Sequence, residues 1–443
     1  MSLLTRCVVL DRLSLNVCGS GRCTGRNGLV VTSGIGNKPI RHINMYVVMK
    51  QVRYYHGSWS FHHSIRREKP DEKVAKLGFE QFYQLRSNVE MLIQDYAKRR
   101  LPPITYDFLT QYIPPLSENE KYVFTIKVVN ILLTLTCRRL AAIQRLPYIA
   151  VVNPNIEESN RLYLKTLESL LSIEMPYGLN DRELMQSKLR DLLNDHNDTL
   201  ATLAKGLQEI MDFYPKQDVF DFLNAHLRDR LSMKLLSTHY LSLISQKEFT
   251  DSIGVLHRNL NIADLIKRTQ EFVGDLTFVK YDKIVPVQIL YGHDVTFPCI
   301  PPDLEYVFQE IIKNSARAHI EASTPGNDVA EKPIEVTIVR SHEDLEVRIR
   351  DFGGGIPPDV EDKMFDYSYS TSEKDAKDTG MSAYIIPGQD VSNVSGMGFG
   401  LPLCKAYLEM FNGQLDIQSL WGWGTDVYIK LKGPKKELLT CSK

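Results

Sequence analysis

No run of apolar residues in this 443-residue chain approaches the roughly 20 positions a helix needs to cross a bilayer. Stretches such as Tyr148–Val152 stop far short, so hydropathy offers no candidate span. Cysteine is scarce too. Cys7, Cys18, Cys23, Cys137, Cys299, Cys404 and Cys441 show neither metal-ligand spacing nor a regular disulfide framework. Free thiols in a reducing compartment are expected. Acid is nearly missing from residues 1–67, where Asp11 stands alone against ten Lys or Arg. That segment carries +9, so the remaining chain carries −10 within a total of −1. A basic, acid-poor start rich in Ser, Gly and Thr reads as a mitochondrial transit peptide, ending between Met49 and Arg67. The acidic remainder argues against a nucleic-acid partner.

With 43% hydrophobic and 24% charged residues, the composition is that of an ordinary globular protein, and the length suggests two or three domains. Residues 71–250 read as long amphipathic helices. Tyr122–Arg145 sets Ile126, Val129, Leu132, Leu133, Thr136, Leu140 and Ile143 at three- and four-residue steps, which predicts one apolar stripe. Glu158–Leu171, a long and mostly helical Asp181–Phe213, and Phe220–Ser245 follow the same pattern, and together they predict a helical bundle. In residues 251–432 the period changes. Ile334, Val336 and Ile338 alternate, as do Leu345, Val347 and Ile349 beyond His342–Glu343, so a hairpin is expected. Gln414–Ser419 and Asp426–Leu431 form a second strand pair, with helices at Asp303–Ala322 and Leu401–Phe411. The fold class expected is α+β: a helical bundle, an α/β sandwich with helices on one face of a mixed sheet, and a short tail at 433–443.

Four short stretches carry chemistry. On the helix Asp303–Ala322, Glu310, Asn314 and Arg317 share one face at steps of four and three. A carboxylate there can accept a proton from an attacking hydroxyl, and an amide oxygen can ligate Mg2+. Arg317 or Lys313 can meet phosphate oxygens. Taken alone, such a row is most often a solvated face. The strand Leu345–Arg350 then runs into Asp351-Phe352-Gly353-Gly354-Gly355, a carboxylate followed by bare backbone that a planar base can approach. Gly396-Met397-Gly398-Phe399-Gly400-Leu401 opens a helix, where free N–H groups suit phosphates. Gly422-Trp423-Gly424-Thr425 brings a threonine hydroxyl between two strands. Residues 366–398, rich in Ser, Asp, Gly and Lys, suggest a mobile lid.

These four boxes, in this order, resemble the Bergerat-fold (GHKL) superfamily of gyrase-type topoisomerases, mismatch-repair ATPases and sensor histidine kinases. A closer resemblance, over roughly residues 75–432, is to the mitochondrial 2-oxo acid dehydrogenase kinases. It rests on runs such as Arg100-Leu101-Pro102-Pro103-Ile104-Thr105, Arg145-Leu146-Pro147-Tyr148, Leu193-Asn194-Asp195-His196-Asn197-Asp198, Leu227–Lys234 and Glu310–Ala318. This resemblance implies an ATP-dependent protein-serine kinase that inactivates a complex by modifying its decarboxylase α subunit. It implies Glu310 as general base with His196 nearby, Asn314 as the Mg2+ ligand, and Lys313 and Arg317 on the nucleotide side. Asp351 and Thr425 would read adenine beside Gly353 and Gly355. Ser370, Thr371, Gly396, Met397, Gly398, Phe399, Gly400 and Leu401 would cradle phosphates. It further implies ATP, Mg2+ and in some members K+ as cofactors, a lipoyl domain as docking partner, a homodimer, and the mitochondrial matrix.

Pyruvate dehydrogenase is the expected target and the branched-chain complex the alternative, since the short stretch after the last strand and the bundle sequences lean toward branched-chain members. Two different classes compete. A sensor histidine kinase would use His239 or His257 as acceptor, although no acidic residue follows either in the usual way. A non-catalytic nucleotide-binding scaffold would carry a degenerate site, whereas all four boxes are intact here.

Overall fold

The computed structural model describes residues 79–173, 179–197, 199–248, 250–324, 329–361, 363–366 and 400–434. The basic segment 1–67, nearly all of the expected lid, and the tail after residue 434 lie outside the described residues. Contacts divide the chain into two units, residues 1–101 with 122–188 and residues 102–121 with 189–443.

Helices α1 (Phe79–Ala97), α2 (Glu118–Gln144) and α3 (Pro154–Leu171) run through the first unit, and α4 (Leu179–Asp195) begins in it. Ser117 and Glu120 start α2 with reciprocal hydrogen bonds, a capping box. Asn153 caps α3 through its side-chain oxygen, with Pro154 in the first turn. Every residue of the stripe expected along α2 is buried, and burial extends beyond the stripe. Phe124, Ile126, Val128, Val129, Ile131 and Leu132 are all buried, so apolar packing surrounds the helix. Val128 and Ile131, off the three-and-four pattern, are apolar too and are buried.

In the second unit, α5 (Thr199–Ile210) and α6 (Lys216–Ser245) precede the sheet region. The mostly helical stretch expected over Asp181–Phe213 forms, as α4 and α5 with a break between them. After Asp195 the chain turns at His196–Asn197, and a 3-10 turn at Met211–Phe213 ends the segment. Asn and Asp favour such breaks because their short polar side chains can bond nearby backbone groups in non-helical conformations. Arg230 Nη2 donates to the His196 carbonyl at 2.6 Å, and His196 Nδ1 lies 3.1 Å from Thr199 Oγ1.

A small antiparallel sheet holds β1 (Ser252–Ile253), β2 (Leu256–Asn261) and β4 (Thr296–Cys299). Between them lie α7 (Ile262–Tyr281) and β3 (Val287–Tyr291). The larger sheet runs β3-β5-β6-β8-β7, with β5 (Ile334–Ser341), β6 (Asp344–Asp351), β7 (Gln414–Leu420) and β8 (Gly424–Lys432). Only the β3–β5 pair is parallel. Ile334, Val336, Ile338, Leu345, Val347, Ile349, Val427 and Ile429 point into the core, and polar residues alternate with them. Helices α7, α8 (Pro301–Ala322) and α9 (Gly400–Glu409) pack on this sheet. The result is an α+β architecture, with helices first and the mixed sheet after. Tyr106, from the 102–121 segment, stacks on Phe411 at 4.5 Å, which ties that segment to this unit.

Candidate nucleotide and phosphoryl-transfer site

Helix α8 is the floor of the candidate site. Pro301 and Pro302 occupy its first turn, where a missing N–H costs nothing. Its buried face is Leu304, Val307, Phe308, Ile311, Ile312, Ser315, Ala316 and His319. Off that face stand Glu310, Lys313 and Arg317, partly covered, and Asn314, exposed. Lys313 Nζ pairs with Glu310 Oε1, and Arg317 Nε donates to Glu321 at 2.6 Å. Around Glu310 lie groups that stay uncharged. Burial, with the Glu310 charge adding to it, pushes the Tyr306 hydroxyl and the Cys404 thiol well above their usual ranges. Glu310 thus has these groups on one side, Lys313 at its Oε1 and Gly400 at its Oε2.

Helix α9 meets α8 at this carboxylate. A Cβ added to Gly400 would stand 2.5 Å from Glu310 Oε2, so glycine lets the start of α9 come down onto it. The first N–H groups and the positive end of α9 therefore sit beside the Glu310–Lys313 pair. Leu401 follows, partly buried. The helix ends through Asn412 at φ 57° and a bond from the Gly413 N–H to the Leu408 carbonyl at 2.8 Å. Gly396, Met397, Gly398, Phe399, Ser370 and Thr371 lie outside the described residues.

Further along α8, the end of β6 delivers Asp351. Its Oδ1 accepts from the N–H groups of Gly353 at 3.0 Å and Thr425 at 3.2 Å, and its Oδ2 accepts from Ser315 Oγ at 3.2 Å. Burial raises the Asp351 carboxyl above its ordinary range, and these three bonds pull it back down in part. Strand register places Asp351 opposite Thr425, whose side chain is buried. Gly353 lies against Ala318 so closely that any Cβ would collide with it. Gly355, at φ 78°, packs on the Leu420 carbonyl. Gly422 N–H donates to the Gly354 carbonyl at 2.7 Å, which docks the β7–β8 turn onto the glycine run.

Two expected groups therefore lie along one helix: Glu310, Lys313 and Gly400 at one place, and Asp351, Gly353 and Thr425 at another. From Glu310 to Ser315 the helix rises about 7.5 Å, at roughly 1.5 Å per residue. Ser315 and His319 were not singled out by sequence. On the periodicity alone they fall on the buried face and look like core positions. Nothing short of the strand that packs there marks them.

His196 is fully buried and held by Thr199 and Arg230, contacts that do not by themselves join it to Glu310. His239 is likewise buried. Desolvation holds its imidazole down to about 4, and its Nδ1 accepts the Val255 N–H at 3.4 Å. A neutral, enclosed ring is poorly suited to accept phosphate. His257 lies in β2, opposite Ser252 and Cys299. Among the described residues no cluster of three or more His, Cys, Asp or Glu could cage a metal, and no helix is long and apolar enough to cross a membrane.

Comparison with known proteins gives two family matches. Residues 103–257 match the model for mitochondrial branched-chain alpha-ketoacid dehydrogenase kinase, and residues 299–435 match that for histidine kinase-, DNA gyrase B-, and HSP90-like ATPases. The chain is 51% identical over 384 residues to [Pyruvate dehydrogenase (acetyl-transferring)] kinase 1, mitochondrial, of Saccharomyces cerevisiae, spanning 85% of this chain and 96% of that one. It is 24% identical to the Arabidopsis thaliana mitochondrial kinase of the same name, over 66% of this chain and 80% of the relative. It is 26% identical to the Homo sapiens isozyme 1, over 66% and 70% respectively.

Proposed function

Because this chain belongs to the family of mitochondrial pyruvate and branched-chain 2-oxo acid dehydrogenase kinases, we propose that it uses Mg-ATP to phosphorylate a serine of the pyruvate dehydrogenase α subunit, so switching that complex off. The observation that carries the target is the 51% identity to a pyruvate dehydrogenase kinase along nearly the whole of that relative. The chemistry is carried by the single helix that holds Glu310 against Gly400 and Ser315 against Asp351.

In this reading Asp351, with its Oδ1 already engaged, offers its remaining lone pairs to the adenine amino group, and Thr425 lies at the same edge. Gly353 and Gly355 let the loop close onto Ala318 and the Leu420 carbonyl, which sets where the backbone would meet the base. Bound ATP supplies the γ-phosphoryl group and the negative charge that the N-terminal end of α9 and Lys313 offset. Asn314 is the residue that would hold Mg2+. An exposed amide on the Glu310 side, with no carboxylate cage around it among the described residues, fits an ion that keeps waters and takes its other ligands from phosphates. Glu310 accepts the proton of the serine hydroxyl. Phosphoryl transfer asks mainly for positioning and charge neutralisation, so one base and a set of donors suffice. Arg317 supports the nucleotide side, and Arg230 holds the turn that carries His196, which would tune the base.

The phosphate cradle would be completed by Ser370, Thr371, Gly396, Met397, Gly398, Phe399, Gly400 and Leu401, and residues 366–398 would close as a lid, with K+ as a further ligand there. Residues 1–67 would direct the chain to the mitochondrial matrix. By role, residues 71–250 form the helical domain and 251–432 the kinase domain, and the working form is a homodimer docked on a lipoyl domain. The branched-chain complex is the second reading, favoured by the match over residues 103–257. Incubation with each purified complex and γ-labelled ATP, followed by mapping of the modified residue, separates them. Label on a serine of the pyruvate dehydrogenase α subunit supports the reading. Equal or preferential label on the branched-chain complex transfers it, and label on a histidine of the chain itself overturns it.

A further inference from the structure

At the end of β6 the chain leaves the sheet. Asp351 is the last residue in register with β8, so Phe352 contributes its N–H to no strand. That N–H points into the protein and donates to Nε2 of His319 at 2.8 Å. His319 is fully buried on the sheet-facing side of α8, one turn beyond Ser315, and its ring lies 6.2 Å from the Phe352 ring. Because Nε2 accepts, the ring is neutral with its proton on Nδ1. Burial, which lowers the imidazole's affinity for a second proton, keeps it so. Three consecutive residues of the glycine loop are thus gripped by three residues of one helix: Asp351 by Ser315, Phe352 by His319, and Gly353 by Ala318.

We propose that His319 is a positioning residue of the nucleotide site: its neutral Nε2 fixes the Phe352 amide, and through it the angle at which Asp351 and Gly353 meet the adenine. The inference rests on the nucleotide reading above and adds to it a residue that touches neither substrate nor metal. An acceptor is required at the Nε2 position, while the ring as such is not.

Two substitutions of nearly equal size separate acceptor from bulk. His319→Gln returns an amide oxygen at about the reach of Nε2, and His319→Met fills the space with a thioether that accepts weakly. Losing the bond to a buried amide predicts a rise of about tenfold in KM for ATP and in the calorimetric Kd for Mg-ATP with His319→Met. With His319→Gln both stay within about twofold of the unaltered protein, and kcat at saturating ATP is retained in both variants. A merely structural residue would lower kcat and thermal stability together, with no difference between Gln and Met. Equal ATP affinities in the two variants, or a fall in kcat without a rise in KM, overturn the proposal. Hydrogen exchange on the unaltered chain gives a second reading free of folding defects. The Phe352 amide is expected to be protected without nucleotide, and exchange at the rate of an open loop overturns the bond. If the unaltered protein failed to bind Mg-ATP at all, the nucleotide reading itself would fall. Tight binding by both the unaltered chain and His319→Met would remove only the role of His319.

Discussion

Replacing Asp351 with Asn changes one group at the base-reading end of the site and almost nothing in its volume. In the structure Oδ1 holds the Gly353 and Thr425 N–H groups, and Asn keeps an oxygen for both. Oδ2 accepts from Ser315 Oγ at 3.2 Å, and a hydroxyl can turn to accept from an amide NH2 instead. The fold is therefore expected to survive. What does not survive is the acceptor facing the adenine amino group, where a donor would now meet a donor. Loss of a hydrogen bond to a charged group costs about 1.5–3 kcal/mol, and an unpaired polar group adds about 1 kcal/mol or more. Together these give a loss of roughly 60- to 700-fold in affinity for Mg-ATP, at about 1.4 kcal/mol per tenfold. Calorimetric titration measures it directly, with far-ultraviolet circular dichroism as the control for folding. The carboxyl adds a pH signature. The acceptor is the anion, and burial raises its protonation range above the ordinary carboxylate one. ATP affinity should therefore weaken as pH falls through that range in the unaltered protein, and should lose this component in Asp351→Asn. Binding of ATP by the variant within about threefold of the unaltered chain would refute the assignment of adenine to this carboxylate.

Asn314→Ala is expected to abolish the Mg2+ dependence of ATP binding and to lower affinity about tenfold or more, since one of few protein ligands is lost; unchanged titrations with and without Mg2+ would contradict this. Gly400→Ala forces a methyl group onto Glu310 Oε2 and should cut phosphoryl transfer by on the order of 100-fold through misplacement of the base, as read by a coupled ATP assay. Asp303, in the first turn of α8, has its carboxyl pushed up to about 7 by burial, with Lys234 opposing. A raised acid binds its proton in the folded state first, so stability should fall as pH rises from about 4 to 7 and then level off. Asp303→Asn should therefore gain roughly 2–4 kcal/mol at pH 8 and little at pH 4; denaturant melts at the two pH values test this, and an equal effect at both would be inconsistent with it.

Much of this architecture is written in local patterns. The alternation in Ile334–Ile338 and Leu345–Ile349 is enough to predict the β5–β6 hairpin, and the left-handed turn falls at His342, φ 51°, where the alternation breaks. The Pro301-Pro302 start and the steps of α8 are legible for the same reason: helix chemistry acts over four residues. What escaped depends on distant partners. Strand β3 pairs in parallel with β5, some 45 residues later, and lies at the sheet edge with none of its side chains buried, so its sequence carries little of the pattern that marks a core strand. The turn at His196 is held by Arg230, 34 residues away. Ser315 and His319 read as ordinary polar members of a buried face until Asp351 and Phe352 arrive beside them. The candidate base, metal and base-reading residues were nameable because glycine-rich boxes and a spaced carboxylate–amide pair are local signals. The residues that aim them are not.

The most direct test of the account replaces Glu310 with Gln and measures two quantities on the same protein: calorimetric affinity for Mg-ATP, and labelled phosphate transferred to purified pyruvate dehydrogenase complex. Removing a general base while keeping shape should leave the affinity within about twofold and reduce transfer by roughly 100- to 10,000-fold. Transfer at near-normal rates by Glu310→Gln would show that the carboxylate packed against Gly400 is not the base.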